Sequence, residues 1–512
     1  MPALSLTKSH PIINVNPPIP PLKKIEDKTK INVRYPLISP YAYAHIYWNE
    51  KTSELVYDVE EPLLNEQERK ILRLIKEALL EVINISYLSE KTIEEILDYL
   101  DKAIRLISYE LSLSIPEKSY PKIFYYIYRD FIGLNEIEPL LRDYFIEDIE
   151  CNGINSSIYI VHRLYRNIRT NIIFYDMDHL VSLVEKLAQR CGKYISYANP
   201  LLDGTLPDGS RVNATYTTEI TTKGPTFTIR KFTKIPWSPI QLINFRTISP
   251  EMMAYFWLII EYKMNILITG GTGSGKTSLL NALAFFIPPE ARVVSIEDTR
   301  EINIPRENWL PSVARTGLGG EEIDLFTLLK ESFRQRPDYV IVGEVRGKEA
   351  FVLFQGMASG HPSISTIHAD SVEAVIKRLQ TPPINLSPTL LNVLDVVAIM
   401  QHALVAGQET RKLAKIVEII DVAEDGTATT NTPFIWDPKE DKFYYRTKIK
   451  LFEKISQRFG LSIEKIEEEF KTRTKLLYTL YKRKIFDFYE VQKIINRYYK
   501  NPKAVIAEFL GG

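Results

Sequence analysis

Cysteine is nearly absent from this chain. With only Cys151 and Cys191 among 512 residues, neither a disulfide framework nor a four-thiolate zinc site can form within one chain, which points to a reducing interior. An excess of charge of one sign is also lacking. Lys plus Arg number 64 and Asp plus Glu number 64, a net charge of zero, which argues against a protein whose main business is wrapping nucleic acid and leaves only local basic faces. Long hydrophobic runs are missing as well. The most apolar one, Met252 to Ile260, is ended by Glu261 and Lys263, far short of the ~18 residues a bilayer span needs, so no segment is expected to cross a membrane. No apolar stretch of a secretory leader follows Lys8 and His10.

What is present is an ordinary globular composition, 45% hydrophobic and 25% charged, over a length that suggests about three domains. Residues 1–35, crowded with Pro2, Pro11, Pro17, Pro18, Pro20 and Pro21, read as a flexible head, because proline fixes φ and removes a donor. Residues 36–232 read as an N-terminal domain, a helical part followed by an α+β part. Asn65 can cap a helix with Glu68 at its third position, and Ile71, Leu74, Ile75, Ala78 and Val82 recur at helical spacing. Helices are expected near 90–114 and 121–145, strands over 157–161, 212–218 and 226–232, and a helix over 178–189. Pro236, Pro239 and Pro250 mark 233–250 as a linker or hinge. Over 251–442 short β-branched runs alternate with helix-length stretches, the pattern of a parallel sheet covered on both faces. Residues 443–512 read as a helical C-terminal region with 16 basic and 8 acidic side chains, a net +8, either a solvated face or a docking surface.

The most specific signal is Gly270-Gly271-Thr272-Gly273-Ser274-Gly275-Lys276-Thr277, followed by Ser278. It fits the phosphate-binding pattern G-x-x-x-x-G-K-T without a mismatch and lies between an apolar strand and a helix-forming run. The glycines let backbone N–H groups turn inward around a phosphate, the helix aims its positive end at the same place, Lys276 can reach the β- and γ-phosphates, and the Thr277 hydroxyl suits Mg²⁺. Hydrolysis also needs carboxylates. Glu297 and Asp298, with Glu301 beyond, end one strand-like run and Glu344 ends another; ligands of open α/β sheets collect outside such strand ends. At a third strand end stand Thr366 and His368. A lone histidine is usually structural, but here a γ-phosphate sensor or a subunit-contact switch is an equal alternative.

GGTGSGKT at 270, IEDTREI at 296, RQRPDYVIVGEVRG at 334 and GHPSISTIHAD at 360 resemble the Walker A, Asp box, atypical Walker B and His box of the secretion-superfamily ATPases, which power type II and type IV secretion, type IV pili and the archaellum. The stretches at 132–153 and 201–212 resemble that family's N-terminal domain, so the likeness covers about residues 120–440. The resemblance implies an α/β fold in which a RecA-like P-loop NTPase domain is preceded by an α+β N-terminal domain with a helical extension. It implies a Mg²⁺-dependent ATP hydrolase working as a homohexamer, with ATP between the two domains. Glu297 would be the carboxylate that activates water, and Glu344 would stand near Mg²⁺ beside Thr277. Arg211, Arg230, Arg334 and Arg336 match positions from which guanidinium groups reach nucleotide across or between domains; each is equally readable as an interface salt bridge.

The tetracysteine zinc insert usual near the His box of bacterial pilus-assembly and type II secretion ATPases is not possible here, since no cysteine follows Cys191. The head, the helical stretch before 120 and the helical tail look more like the archaeal branch, in particular the archaellum motor ATPase, with an archaeal pilus-assembly ATPase as the alternative. This implies cytoplasmic work at the inner face of the membrane, attached peripherally through a polytopic platform protein and other filament-motor components, without nucleic acid. A DNA-translocating P-loop motor and a nucleotide-binding scaffold without turnover are the rivals. Zero net charge weighs against the first and the strand-end carboxylates against the second.

Overall fold

The computed structural model describes residues 10–20, 22, 27–82, 91–232, 235–315, 323–405 and 407–511; the first nine residues of the expected flexible head lie outside them. The chain divides into two compact units, Met1–Phe232 and Thr233–Gly512.

The first unit opens with strands where none was expected. β1 (Asn32–Ile38), β2 (Ala42–Asn49) and β3 (Glu54–Glu60) form an antiparallel meander. In β2 and β3 alternate residues are buried, so Ala44, Ile46, Tyr57 and Val59 enter the core. That period-two signal was available in the sequence. Pro36 is tolerated because β1 is an edge strand, where a missing N–H interrupts no ladder on the open side. The described head is also less free than its prolines suggest. Ile13 and Val15 are buried, Asn14 pairs with Ser39 through two backbone hydrogen bonds of 2.9 Å, and His10 stacks on Phe124. The helix Glu66–Val82 begins as expected, with Asn65 and Glu68 satisfying each other's backbone N–H at 2.8 Å. Helix Ile93–Glu110 follows, but the expected long helix over 121–145 is broken into Tyr120–Ile127, a π-turn at Tyr128–Ile132 and a short helix Glu138–Arg142.

β4 (Ile146–Cys151), β5 (Ser157–His162), β6 (Arg166–Ile173), β7 (Leu201–Thr205), β8 (Arg211–Thr215) and β9 (Thr226–Arg230) complete one nine-stranded sheet, in the order β1-β2-β3-β6-β5-β4-β9-β8-β7. Helix Met177–Arg190 buries Leu180, Leu183, Val184 and Leu187 in the same core.

The second unit is a nine-stranded sheet with two characters. β10 (Ile266–Thr269), β11 (Val293–Glu297), β12 (Trp309–Val313), β13 (Tyr339–Val342), β14 (Ser363–Ile367) and β15 (Val396–Val405) pair in parallel, in the order β12-β11-β13-β14-β10-β15. Four of them, β10, β11, β13 and β14, are buried along their whole length, as expected for strands covered by helices on both faces. Beyond β15 the sheet continues antiparallel through β16 (Gln408–Val422), β17 (Ala428–Asp437) and β18 (Lys442–Tyr445). These three strands were not anticipated.

Two expected boundaries shift. From Ser238 onward the proline-marked linker belongs to this unit, because Ser238 and Gln241 form a capping box and Ile240, Leu242, Ile243 and Ile248 are buried. Proline occupies the first helical turn there, where its missing donor costs nothing. The helical tail, from Leu451 to Leu510, is part of the core and not an appendage. Helix Pro250–Glu261 buries every residue from Met252 to Ile260, in one core with tail residues such as Leu476, Leu480 and Tyr498. At its centre Trp257 stacks on Phe286 at 5.2 Å and meets Tyr498 edge-on at 5.0 Å, while the guanidinium of Arg473 lies 4.9 Å from its ring. Arg473 is buried and ion-pairs with Glu261 and Glu469. A second tie is Glu418 on β16, fully buried, which accepts from Tyr255 Oη at 3.1 Å and from the backbone N–H of Lys450 at 2.9 Å, so capping helix Leu451–Phe459. Trp257→Ala removes the shared packing of sheet, helix and tail and should cost about 3–5 kcal/mol. Denaturant unfolding monitored by circular dichroism measures it, and a loss under about 1 kcal/mol would show that the tail is not anchored there.

Candidate active site

Four neighbouring strands end at one edge of the second unit's sheet, and each delivers a polar group. The first is β10, which runs into the glycine loop. Gly270 has φ +149°, and a Cβ there would lie 2.3 Å from the carbonyl oxygen of Met400 on β15. Only glycine lets the loop leave the strand at this point. Gly273 and Gly275, at φ +70° and +95°, continue the turn, and helix Lys276–Ala284 starts directly behind it. Ser274 Oγ donates to the Gly271 carbonyl at 2.8 Å and braces the curve. The outcome is a ring of backbone N–H groups at a helix N-terminus, suited to phosphate.

Lys276 is buried, and its ammonium donates to the carbonyls of Gly270 and Gly271, each at 2.9 Å. It also stands 3.3 Å from Nδ1 of His368, which follows β14. An ammonium can only donate, so Nδ1 must accept. The ring proton therefore sits on Nε2, 3.0 Å from Oε1 of Glu344 at the end of β13. The other carboxylate oxygen of Glu344 accepts from Arg346 at 2.6 Å, and Arg346 lies 3.7 Å from Asp298. Lys276, His368, Glu344 and Arg346 thus form one connected chain: a cation, an imidazole, an anion and a cation. Burial opposes the charge on Glu344, but the hydrogen bond and charge of Arg346, with His368 and Lys276, outweigh it and hold its carboxyl below the usual range. Burial and the nearby Lys276 charge push the His368 ring down, in keeping with a neutral imidazole. Burial likewise lowers Lys276.

Glu297 at the end of β11 is different. It is 2% exposed; Oε1 accepts from the N–H groups of Glu301 and Ile302, both at 2.8 Å, and Oε2 is buried without a hydrogen-bond partner. Burial pushes its carboxyl up to about 7 against those two backbone hydrogen bonds. A carboxyl poised there, with one oxygen uncommitted, suits a proton acceptor near neutral pH. Asn281, on the helix behind the loop, donates to the carbonyls of Thr277 and Glu301 and accepts from Asn303 N–H at 2.9 Å. It locks the glycine loop to the segment that holds Glu297.

Of the residues singled out from sequence, Gly270 to Ser278, Glu297, Glu344 and His368 share this edge. Thr277 and Ser278 are half-buried in the first turn of the helix. Arg334 and Arg336 do not join them within the described contacts. Arg334 closes helix Leu325–Arg334 and pairs with Glu331, and Arg336 precedes β13. Both stand at the N-terminal ends of the parallel strands, opposite the glycine loop. Arg211 and Arg230 are cross-strand partners on β8 and β9 of the first unit, ion-paired with Asp203 and Asp148. Sequence reasoning missed Arg346 and Asn281 as site residues. Arg346 stands two residues after Glu344, and that spacing was the available signal; Asn281 gives none, since it acts through distant backbone.

The description "Type II/IV secretion system protein" matches residues 132–449 of the chain. An uncharacterized protein of Methanocaldococcus jannaschii is 37% identical over 495 residues, covering 92% of this chain and 89% of its own. The type IV secretion system protein PtlH of Bordetella pertussis is 31% identical over 278 residues, 48% of this chain and 81% of its own. Among solved structures, the VirB11 ATPase of the Brucella suis type IV secretion system, in complex with sulphate, shares 25% identity at a TM-score of 0.29, covering 55% of this chain and 95% of that one.

The raised Glu297 carboxyl has a consequence for stability. A carboxyl whose folded value lies above its unfolded one favours the folded state fully below the unfolded value, and this is lost as pH rises to the folded one. The wild type should therefore lose up to about 3 kcal/mol between about pH 4.5 and about pH 7 through this group. Glu297→Gln should flatten that slope in denaturant unfolding against pH. An unchanged slope would mean that Glu297 ionises normally.

Proposed function

Since the chain belongs to the type II/IV secretion system protein family and is an ATP hydrolase of that class, we propose that it is a hexameric, Mg²⁺-dependent motor. It powers assembly and rotation of an archaellum, an archaeal type IV pilus-like filament, from the cytoplasmic face of the membrane. The observation that carries the catalytic part is the convergence of Lys276, Glu297, Glu344 and His368 at adjoining strand ends around one glycine loop. The loop amides and Lys276 bind the phosphates. Glu297, with its uncommitted oxygen, takes the proton of the attacking water. His368 senses the phosphate end through Lys276 and passes its state to Glu344.

Bound Mg²⁺ would neutralise phosphate charge. Oxygen donors suit it: the Thr277 hydroxyl is half-buried at the loop, and Glu344 is an ionised carboxylate two contacts away from Lys276. Arg334 and Arg336, at the far edge of the sheet, serve a neighbouring subunit's nucleotide, and Arg211 and Arg230 act from the first unit. Hence ATP joins subunits. No helix among the described residues is long and apolar enough to cross a membrane; in this reading the motor works on the membrane through a polytopic platform protein and other filament-motor components. The relative from Methanocaldococcus jannaschii, matched over 92% of this chain and far outside the catalytic motifs, supports the archaeal branch; an archaeal type IV pilus assembly or secretion ATPase is the alternative.

Lys276→Ala should cut phosphate release at least a hundredfold while leaving the circular dichroism spectrum intact, and Glu297→Gln should bind MgATP normally yet barely turn over. Full activity in a folded Glu297→Gln variant would move the proton acceptor elsewhere. Light scattering at saturating MgATP should show a hexamer growing from smaller species as ATP is added. A protein that stays monomeric across concentrations would end the hexameric reading. Loss of swimming, with pili retained, in cells lacking the gene separates archaellum from pilus.

A further inference from the structure

The loop's other flank is built from β15 and β16, and it carries a residue that no motif identifies. β15 and β16 pair antiparallel, but their register shifts between Ile399 and Met400: Ile399 faces Lys415 and Met400 faces Leu413, leaving Ala414 as the extra residue. A bulge of this kind turns the bulged strand's side chains on its two sides to opposite faces relative to an unbroken register. Without it, Arg411 would face Ala403. With it, Arg411 faces His402, on the face that Met400 shares.

The bulge therefore aims Arg411 at the glycine loop. A Cβ on Gly275 would lie 3.3 Å from Cδ of Arg411, 3.7 Å from its Cβ and 3.4 Å from Cε of Met400. The stem of Arg411 thus lies beside the residue immediately before Lys276 and would crowd a side chain placed there, and Arg411 is half-buried.

The sheet order says which part of a nucleotide this flank meets. His368, Glu344 and Glu297 follow β14, β13 and β11, all on one side of β10, while β15 and β16 lie on the other. The reacting phosphate belongs beside the carboxylates. A phosphate chain lying across the loop then leaves its nucleoside on the side of β15 and β16.

From this we infer that Arg411 seats the nucleoside end of bound ATP, its planar guanidinium against the purine ring. Arginine suits the task because its planar guanidinium lies flat on an aromatic face, a geometry that lysine's compact, strongly hydrated ammonium does not offer. The inference rests on the ATP-hydrolase reading and adds to it a binding residue contributed by an otherwise structural hairpin.

The test compares ligands with and without a purine. Dissociation constants of Arg411→Ala and Arg411→Lys for ATP, ADP and inorganic tripolyphosphate are measured by calorimetry, with Lys276→Ala alongside. Both Arg411 variants should weaken ATP and ADP by about tenfold, a contact of the size a partly desolvated cation–π pair supplies, and leave tripolyphosphate within twofold. KM for ATP should rise by more than kcat falls. Lys276→Ala should weaken all three ligands. Unchanged ATP affinity in both folded Arg411 variants overturns the inference. So does an equal loss for tripolyphosphate, which would make Arg411 a phosphate ligand. So does full rescue by lysine, which would leave charge alone as the cause. A wild type that binds neither ATP nor tripolyphosphate would instead defeat the hydrolase reading.

Discussion

The second unit is organised around one steric constraint: the glycine loop must leave β10 where the carbonyl of Met400 blocks any side chain. A Cβ on Gly270 would stand 2.3 Å from that oxygen, and β10 is hemmed in by β14 on its other side. The chain can turn only as bare backbone, and that turn is what brings N–H groups and Lys276 to a common centre. Because β14, β13 and β11 lie beside β10 in register, their ends bring His368, Glu344 and Glu297 to the same edge. Shared register makes the site.

Electrostatics then divides the labour between two carboxyls of the same chemical type. Glu344 is surrounded by Arg346, His368 and Lys276 and stays ionised; Glu297, one strand further, is buried with only backbone N–H groups on one oxygen and titrates near neutrality. Environment sets their ionisation. His368 stands between Lys276 and Glu344, accepting at Nδ1 from the ammonium and donating from Nε2 to the carboxylate.

The helical tail shows how a catalytic sheet gains a rigid back. Helix Pro250–Glu261 is apolar all round and would be insoluble alone; it is stable because the sheet takes one side and the tail helices the other. Trp257 and the buried, doubly ion-paired Arg473 sit where these layers meet, and Glu418 ties the sheet's antiparallel extension to the tail through backbone N–H groups. Of the tail's basic side chains, Arg473 is buried, whereas Lys471, Lys475 and Lys482 are exposed.

Local chemistry was legible from residues alone. The glycine loop, the Asn65–Glu68 cap and the buried parallel strands each depend on neighbours in sequence, through φ preference, side-chain-to-backbone hydrogen bonds and unbroken apolar runs. Strand-end carboxylates were legible too, because a parallel sheet gathers them at one edge whatever the strand order. The meander β1–β3 was passed over although its alternation was present, since the proline-rich stretch before it read as linker. What the tertiary structure alone decided was long-range. It set the register shift that turns Arg411 toward Gly275, the pairing of Arg346 with Glu344 inside a four-group chain, the burial that raises Glu297, and the enclosure of helix Pro250–Glu261 by residues some 200 positions later in the chain. Each depends on which backbone a residue is pressed against, and no spacing within the sequence encodes that contact.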